Sequence, residues 1–153
     1  MIKVVMVCLG NICRSPLAEA ILVSKVNADK IFVDSAGTAA YHIGKLPDRR
    51  SIEVASKHEI NITNQRARKF TVKDFDIFDY IYAMDESNYQ NILRLARNKV
   101  DESKVQLILN ESHPSKHKSV PDPYYGGNEG FEKVYIMLDE ACEIIADKLS
   151  KIK

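Results

Sequence analysis

Val4 to Val7 is an unbroken apolar run rich in β-branched residues. That is the pattern of a strand buried on both faces of a parallel sheet. Leu9-Gly10-Asn11-Ile12-Cys13-Arg14 follows, then Ser15-Pro16. Serine before proline predicts a helix start, with Ser15 as cap and Pro16 at the first helical position. Leu17, Ala20 and Ile21 continue at helical spacing. Ile31–Ser35 predicts a second strand, stopped by Gly37, and Leu46-Pro47-Asp48 opens a helix running to about His58. Tyr80–Met84 predicts a third strand. Asp85 is placed to cap the next helix, whose Tyr89, Ile92, Leu93 and Ala96 share a face. Val105–Leu109 predicts a fourth strand. The stretch Asn110–Gly130 is rich in Pro, Gly, Ser and His, and a loop of that length in a compact domain is usually functional or mobile. Phe131, Val134, Leu138, Cys142, Ile145 and Leu149 then repeat at three and four residues, the stripe of an amphipathic helix.

Strands alternating with helices imply an α/β fold around a parallel sheet. Ligands of such folds bind at the carboxyl ends of the strands, which directs attention to the loop after Cys8. The chain has 153 residues, of which 45% are hydrophobic and 28% charged. These values suit one globular domain over 1–153 and exclude disorder and coiled coil. A formal net charge of +1 argues against a nucleic-acid binder, which would carry a basic excess. No apolar run reaches membrane-spanning length and the first residues lack a signal-peptide pattern, so no membrane association is expected. Three cysteines do not make a disulfide framework. The expected location is the reducing cytoplasm, where a thiol can be kept for chemistry.

The loop from Cys8 to Arg14 carries a specific chemistry. Gly10 and Asn11 are the residue types that best tolerate left-handed backbone angles. A loop curled in that way turns successive N–H groups inward as an anion nest. The following helix adds partial positive charge at the same spot, and Arg14 adds a fork of donors suited to two phosphate oxygens. Cys8 lies at the base of this bowl, where the thiolate is favoured, and the Ser15 hydroxyl can donate to it. Oxyanion site and activated nucleophile thus come from one segment.

Val7-Cys8-Leu9-Gly10-Asn11-Ile12-Cys13-Arg14-Ser15-Pro16 resembles the signature loop of the low-molecular-weight protein tyrosine phosphatases. Asp34-Ser35-Ala36-Gly37-Thr38, Tyr41-His42-Ile43-Gly44 with Pro47-Asp48-Arg49, Ala83-Met84-Asp85-Glu86-Ser87-Asn88 and Val120-Pro121-Asp122-Pro123-Tyr124-Tyr125 are similar to further segments of that family, in the same order. The resemblance implies a three-layer α/β sandwich: a four-stranded parallel sheet, helices on both faces, and the phosphate-binding loop after the first strand. It implies hydrolysis of phosphotyrosine, and of small aryl phosphates as an acid phosphatase does, through a phosphocysteine on Cys8. Arg14 is then the phosphate clamp. Asp122, stiffened between two prolines, is the general acid of the first step and the base of the second. Leu9, Gly10, Asn11, Ile12, Cys13 and Ser15 would bind substrate from the loop, and Tyr41, Tyr124 and Tyr125 would wall a deep slot over it. Such depth admits phosphotyrosine and leaves phosphoserine short of the thiolate. Arginine-phosphate-specific relatives carry threonine at the place of Ile12, so isoleucine favours phosphotyrosine.

By the same resemblance, Asn11, Ser15 and Ser35 support the loop's shape by hydrogen bonding, and Cys13 is a partner for a reversible disulfide with Cys8. Tyr124 and Tyr125 are sites where some members are phosphorylated. Gln65 departs from the family, where histidine is common and buttresses the same network. The expected partners are tyrosine-phosphorylated proteins, with inorganic phosphate or other oxyanions as inhibitors, and the expected state is a monomer or weak homodimer. The basic cluster Arg66, Arg68 and Lys69 reads as a solvated face, and Cys142 as core. His113 and His117 flank Pro114 without a carboxylate motif, so no metal site is expected. No nucleotide fingerprint occurs and the thiolate chemistry requires no cofactor. An arsenate reductase would relay electrons through further cysteines, which are absent between Arg14 and Cys142. A binding module without turnover would be expected to lose Cys8, Arg14 or Asp122, and all three are present.

Overall fold

The computed structural model describes residues 1–39, 41–123 and 128–152. In chain order its elements are β1 (Ile2–Cys8), α1 (Arg14–Val23), β2 (Ile31–Gly37), α2 (Arg49–Lys57), α3 (Asp74–Ile77), β3 (Tyr80–Ala83), α4 (Glu86–Leu93), α5 (Lys99–Ser103), β4 (Val105–Leu107), a 3₁₀ turn (Ile108–Asn110) and α6 (Asn128–Ser150). Among the described residues the sheet has four strands in the order β2-β1-β3-β4, every pair parallel. The chain steps from β1 to β2 on one side and returns to β3 on the other. The crevice created by this reversal lies at the carboxyl ends of β1 and β3.

The continuous apolar run of β1 serves both faces. Val4, Met6 and Cys8 pack with residues of α1, α2 and α6, while Val5 and Val7 pack with Phe70, Phe75, Phe78 and Ile92. This is the three-layer arrangement that the family resemblance implies. The α6 stripe is buried along its whole length, from Phe131 to Leu149. Each such side chain is worth ~1.5–3 kcal/mol against exposure, so α6 clamps the layer containing α1. The cap of α4 is as expected, with Asp85 accepting from the Asn88 N–H, and Asp48 caps α2 by accepting from the Arg50 N–H.

Several boundaries differ from expectation, each for a physical reason. The fourth strand ends at Leu107 rather than Leu109, because β3 ends at Ala83, the partner of Leu107, and offers no further ladder. Ile108 and Leu109 turn instead into the core beneath α6. α6 begins at Asn128 and takes the last residues of the 110–130 segment. α3 and α5 are four and five residues long, too short to show a helical period. Ser15 is not the cap of α1: the helix starts at Arg14 with Cys13 in the cap position and no side-chain cap bond. The Ser15 hydroxyl is occupied by Cys8 and Asn11.

Gly37, at the end of β2, abuts the back of the Cys8 loop. A Cβ there would lie 2.7 Å from the Leu9 carbonyl oxygen and 3.0 Å from the Asn11 nitrogen, and both contacts are backbone. Gly37→Ala is expected to cost ~1–3 kcal/mol by overpacking, read by urea unfolding, and to weaken oxyanion binding, because the strain falls on the loop itself.

Candidate oxyanion and thiolate site

The loop joining β1 to α1 is held open by its carbonyls. The Thr38 and Ala39 N–H groups donate to the carbonyls of Cys8 and Leu9, each at 2.9 Å. The Asp48 N–H donates to Ile12 O at 2.7 Å, and Ser51 Oγ donates to Cys13 O at 3.3 Å. With these acceptors tied outward, the loop's N–H groups are left for the concave side. Among the described residues those of Leu9, Gly10, Ile12 and Cys13 have no protein acceptor. The left-handed turn falls on Asn11 alone, at φ 57°. The expectation that Gly10 shares it is corrected: Gly10 is not at positive φ, and its small size instead admits the His42 ring, whose Cδ2 would lie 2.9 Å from a Cβ.

Cys8 Sγ lies at the base of the bowl and is buried. It is 2.9 Å from Ser15 Oγ and accepts from the Asn11 N–H at 3.2 Å. Asn11 Nδ2 donates to Ser15 Oγ at 2.8 Å and to Ser35 Oγ at 3.0 Å. The Ser15 oxygen therefore already accepts from Asn11, and its own hydrogen is left for the sulfur. Asn11 Oδ1 accepts from the Arg68 N–H at 3.0 Å. Ser35 passes its hydrogen to Glu19 Oε1 at 2.7 Å.

Arg14 is buried and aimed by two contacts of its Nη1: Asp85 Oδ2 at 2.6 Å and Val120 O at 2.9 Å. Its Nη2 lies 4.0 Å from Asp122 Oδ2. Cys8, Arg14 and Asp122 face one pocket of about 220 Å³. Leu9, Gly10, Ile12 and Cys13 line it from the loop, and Tyr41 and His42 from the far wall. Asn11 and Ser15 are not among the lining residues but lie beneath the sulfur. Ser35 lies a further layer back. Tyr124 and Tyr125 fall outside the described residues.

Sequence reasoning left several residues without a site role. Asp85 had only a capping role, yet its second oxygen holds Arg14. The available signal was its position just past a strand's carboxyl end. His42, Gly37, Asp48 and Glu19 had none. Arg68, expected on a solvated face, is half-buried and bridges Asp34 and Asp74 at 3.0 and 3.1 Å. Gln65 does not enter the Asn11 network; its Nε2 donates to Pro16 O at 3.0 Å, and its buried Oε1 has no hydrogen-bond partner. His113 bonds to Ser112, and among the described residues no group of three or more His, Cys, Asp or Glu is placed to hold a metal.

Around the loop the titrations of the Cys13 thiol and the Glu19 carboxyl are displaced by a large amount. Burial first, then Asp48 and the neighbouring Cys8, push the Cys13 thiol up to about 12, so Cys13 stays protonated at neutral pH. Burial first, then Asp34, raise Glu19 from 4.5 to about 7 against the Ser35 bond and Arg68. A carboxyl raised in the fold stabilises it fully below its unfolded value. That contribution is lost as pH rises through the folded value, here between 4.5 and about 7.

A sequence model described as low molecular weight phosphotyrosine protein phosphatase matches residues 3–153. The chain is 47% identical over 142 residues to the low molecular weight phosphotyrosine protein phosphatase of Schizosaccharomyces pombe, covering 90% of each. It is similar to a crystal structure of a protein tyrosine phosphatase from Entamoeba histolytica with Hepes in the active site: TM-score 0.91, 37% identity, 99% and 98% of the two chains. It is also similar to a Drosophila arginine phosphatase: TM-score 0.89, 33% identity, 99% and 100% of the two chains.

Asp85→Asn separates the two tasks of Asp85. Asparagine caps helices as well as aspartate, so α4 is kept, while the charge that aims Arg14 is lost. The expected result is a fall in affinity for inorganic phosphate, read by calorimetry, larger than any accompanying change in helix content by circular dichroism.

Proposed function

Because the chain belongs to the low-molecular-weight phosphotyrosine protein phosphatase family, we propose that it hydrolyses phosphotyrosine in proteins, and small aryl phosphates, through a phosphocysteine on Cys8. The observation that carries this reading is the surroundings of Cys8 Sγ. The Ser15 hydroxyl and the Asn11 N–H converge on it inside a nest of N–H groups, with an aimed arginine beside it and a carboxyl across the pocket. In the first step the thiolate forms an S–P bond as the ester P–O bond breaks. The leaving oxygen takes the proton of Asp122. In the second step water attacks phosphorus, Asp122 accepts its proton, and the P–S bond breaks to return the thiolate and release inorganic phosphate. Arg14 and the loop N–H groups hold the equatorial oxygens, whose charge grows in the transition state.

Ile12 and Leu9 offer apolar contact to an aryl ring, and Tyr41 stands at the pocket mouth with 74% of its surface exposed. An apolar wall at Ile12 suits phosphotyrosine over phosphoarginine, whose guanidinium would lose hydrogen bonds there. Residues 1–153 act as one domain, on tyrosine-phosphorylated proteins, with inorganic phosphate as a product inhibitor. Among the described residues no helix is long and apolar enough to cross a membrane. The three cysteines are free thiols, which suits a cytoplasmic location.

Roles are separated by leaving group. Cys8→Ser should bind phosphate and turn nothing over. Asp122→Asn should lose ~10²–10⁴ in the phosphorylation step on phosphotyrosine. That loss should shrink for acidic phenols in single-turnover measurements, with trapped phosphoenzyme accumulating. Equal losses across the leaving-group series would show that Asp122 is structural. Oxidation provides a second test. Peroxide converts the Cys8 thiolate to a sulfenic acid, and the Cys13 thiol then condenses with it, forming the disulfide and releasing water. Wild type should regain activity on thiol addition. Cys13→Ser should regain much less, as peptide mapping and residual activity will report.

A further inference from the structure

Behind the sulfur runs a chain of hydrogen bonds. Ser15 Oγ meets Cys8 Sγ at 2.9 Å, Asn11 Nδ2 donates to both Ser15 and Ser35, and Ser35 donates to Glu19. The Asn11 amide thus links the thiol of Cys8 at one end to the carboxyl of Glu19 at the other. Glu19 is on the first turns of α1, and its only hydrogen-bond partner among the described residues is Ser35. The charged groups facing it are Asp34 on β2 and Arg68 on the segment before α3. Arg68 is engaged with Asp34 and Asp74.

We propose that Glu19 is a positioning residue for the oxyanion loop: its carboxylate charge, received through Ser35, fixes the direction of the hydrogen bonds that hold Asn11 and Ser15 against Cys8. An ionised acceptor makes the Ser35 bond charge-assisted, roughly twice as strong as a neutral one. It also polarises the Ser35 oxygen as an acceptor for Asn11. The Asn11 amide is thereby held in place, and with it the left-handed backbone that turns the Asn11 N–H onto the sulfur. A neutral Glu19 grips this chain less firmly. The carboxyl titrates near neutrality, at about 7, so loop affinity for an oxyanion follows pH through a group that never touches the anion. The proposal rests on the reading of the Cys8 loop as an oxyanion site.

The test uses sulfate as the probe, because its charge is constant over the range, with wild type and Glu19→Gln as full chains. The neutral glutamine stands for the protonated state. The ratio of sulfate affinities, wild type over variant, is expected near one at about pH 5.5 and about fivefold above pH 8, the difference between a neutral and a charge-assisted bond. Its midpoint should follow Glu19, and in a Ser35→Ala background the ratio should stay flat. A pH-independent ratio would reduce Glu19 to a structural residue and overturn the proposal. So would tighter sulfate binding by the variant at high pH, since the carboxylate would then act only by repulsion. Absence of sulfate binding to wild type would overturn the oxyanion-site reading and this proposal with it. If Glu19→Gln fails to fold, carbon-13 titration of the Glu19 carboxyl in wild type decides the matter. Reciprocity requires saturating sulfate to lower its midpoint, and an unchanged or raised midpoint overturns the proposal.

Discussion

A row of N–H groups can encircle an anion only if the carbonyls between them are satisfied elsewhere, and the rest of this molecule is arranged around that constraint. The carbonyls of Cys8 and Leu9 are taken by the extension of β2, and those of Ile12 and Cys13 by the start of α2. An unmade bond at any of these buried acceptors would cost ~1–3 kcal/mol and would release a carbonyl to turn toward the bowl. The parallel pairing of β1 with β2, in register to Cys8 and Gly37, is therefore part of the site as well as of the sheet. It also explains why Gly37 has no room for a side chain.

The second requirement is the left-handed turn at Asn11. Such backbone costs an ordinary L-residue ~1–2 kcal/mol, and asparagine less. Here the side chain holds the turn with three bonds, to Ser15, Ser35 and the Arg68 N–H. One amide thus links α1, β2 and the segment before α3, and its own backbone N–H reaches the sulfur. Gln65 does not supply this support. The network closes instead through Ser35 and Glu19, with Arg68 fixed by Asp34 and Asp74.

Charge is placed with similar economy. Arg14, buried in the first turn of α1, is met by Asp85 and the Val120 carbonyl on one nitrogen. Its other terminal nitrogen faces Asp122. Asp85 both caps α4 and holds Arg14, so the strand end that starts a helix also orients that guanidinium. Cys13, a few residues from Cys8, stays a protonated thiol through burial and the nearby Asp48.

The local features were legible in the amino-acid sequence because they rest on neighbouring residues. The apolar run of β1, the Gly-Asn loop closing on an arginine and the Phe131–Leu149 stripe each express a short-range period or backbone preference. Together they determined the α/β class and the location of the loop from Cys8 to Arg14. What the tertiary structure decided rests on contacts far apart in the chain: Arg14 with Asp85 and Val120, Asn11 with Ser35 and Arg68, Ser35 with Glu19. Asp85 looked like a cap, Arg68 like surface and Ser15 like a helix start. Each side chain has more than one hydrogen-bonding atom, and the sequence indicates only the local use. The second use depends on which elements the sheet order brings together at the carboxyl ends of β1 and β3, and that is fixed by packing on both faces of the sheet.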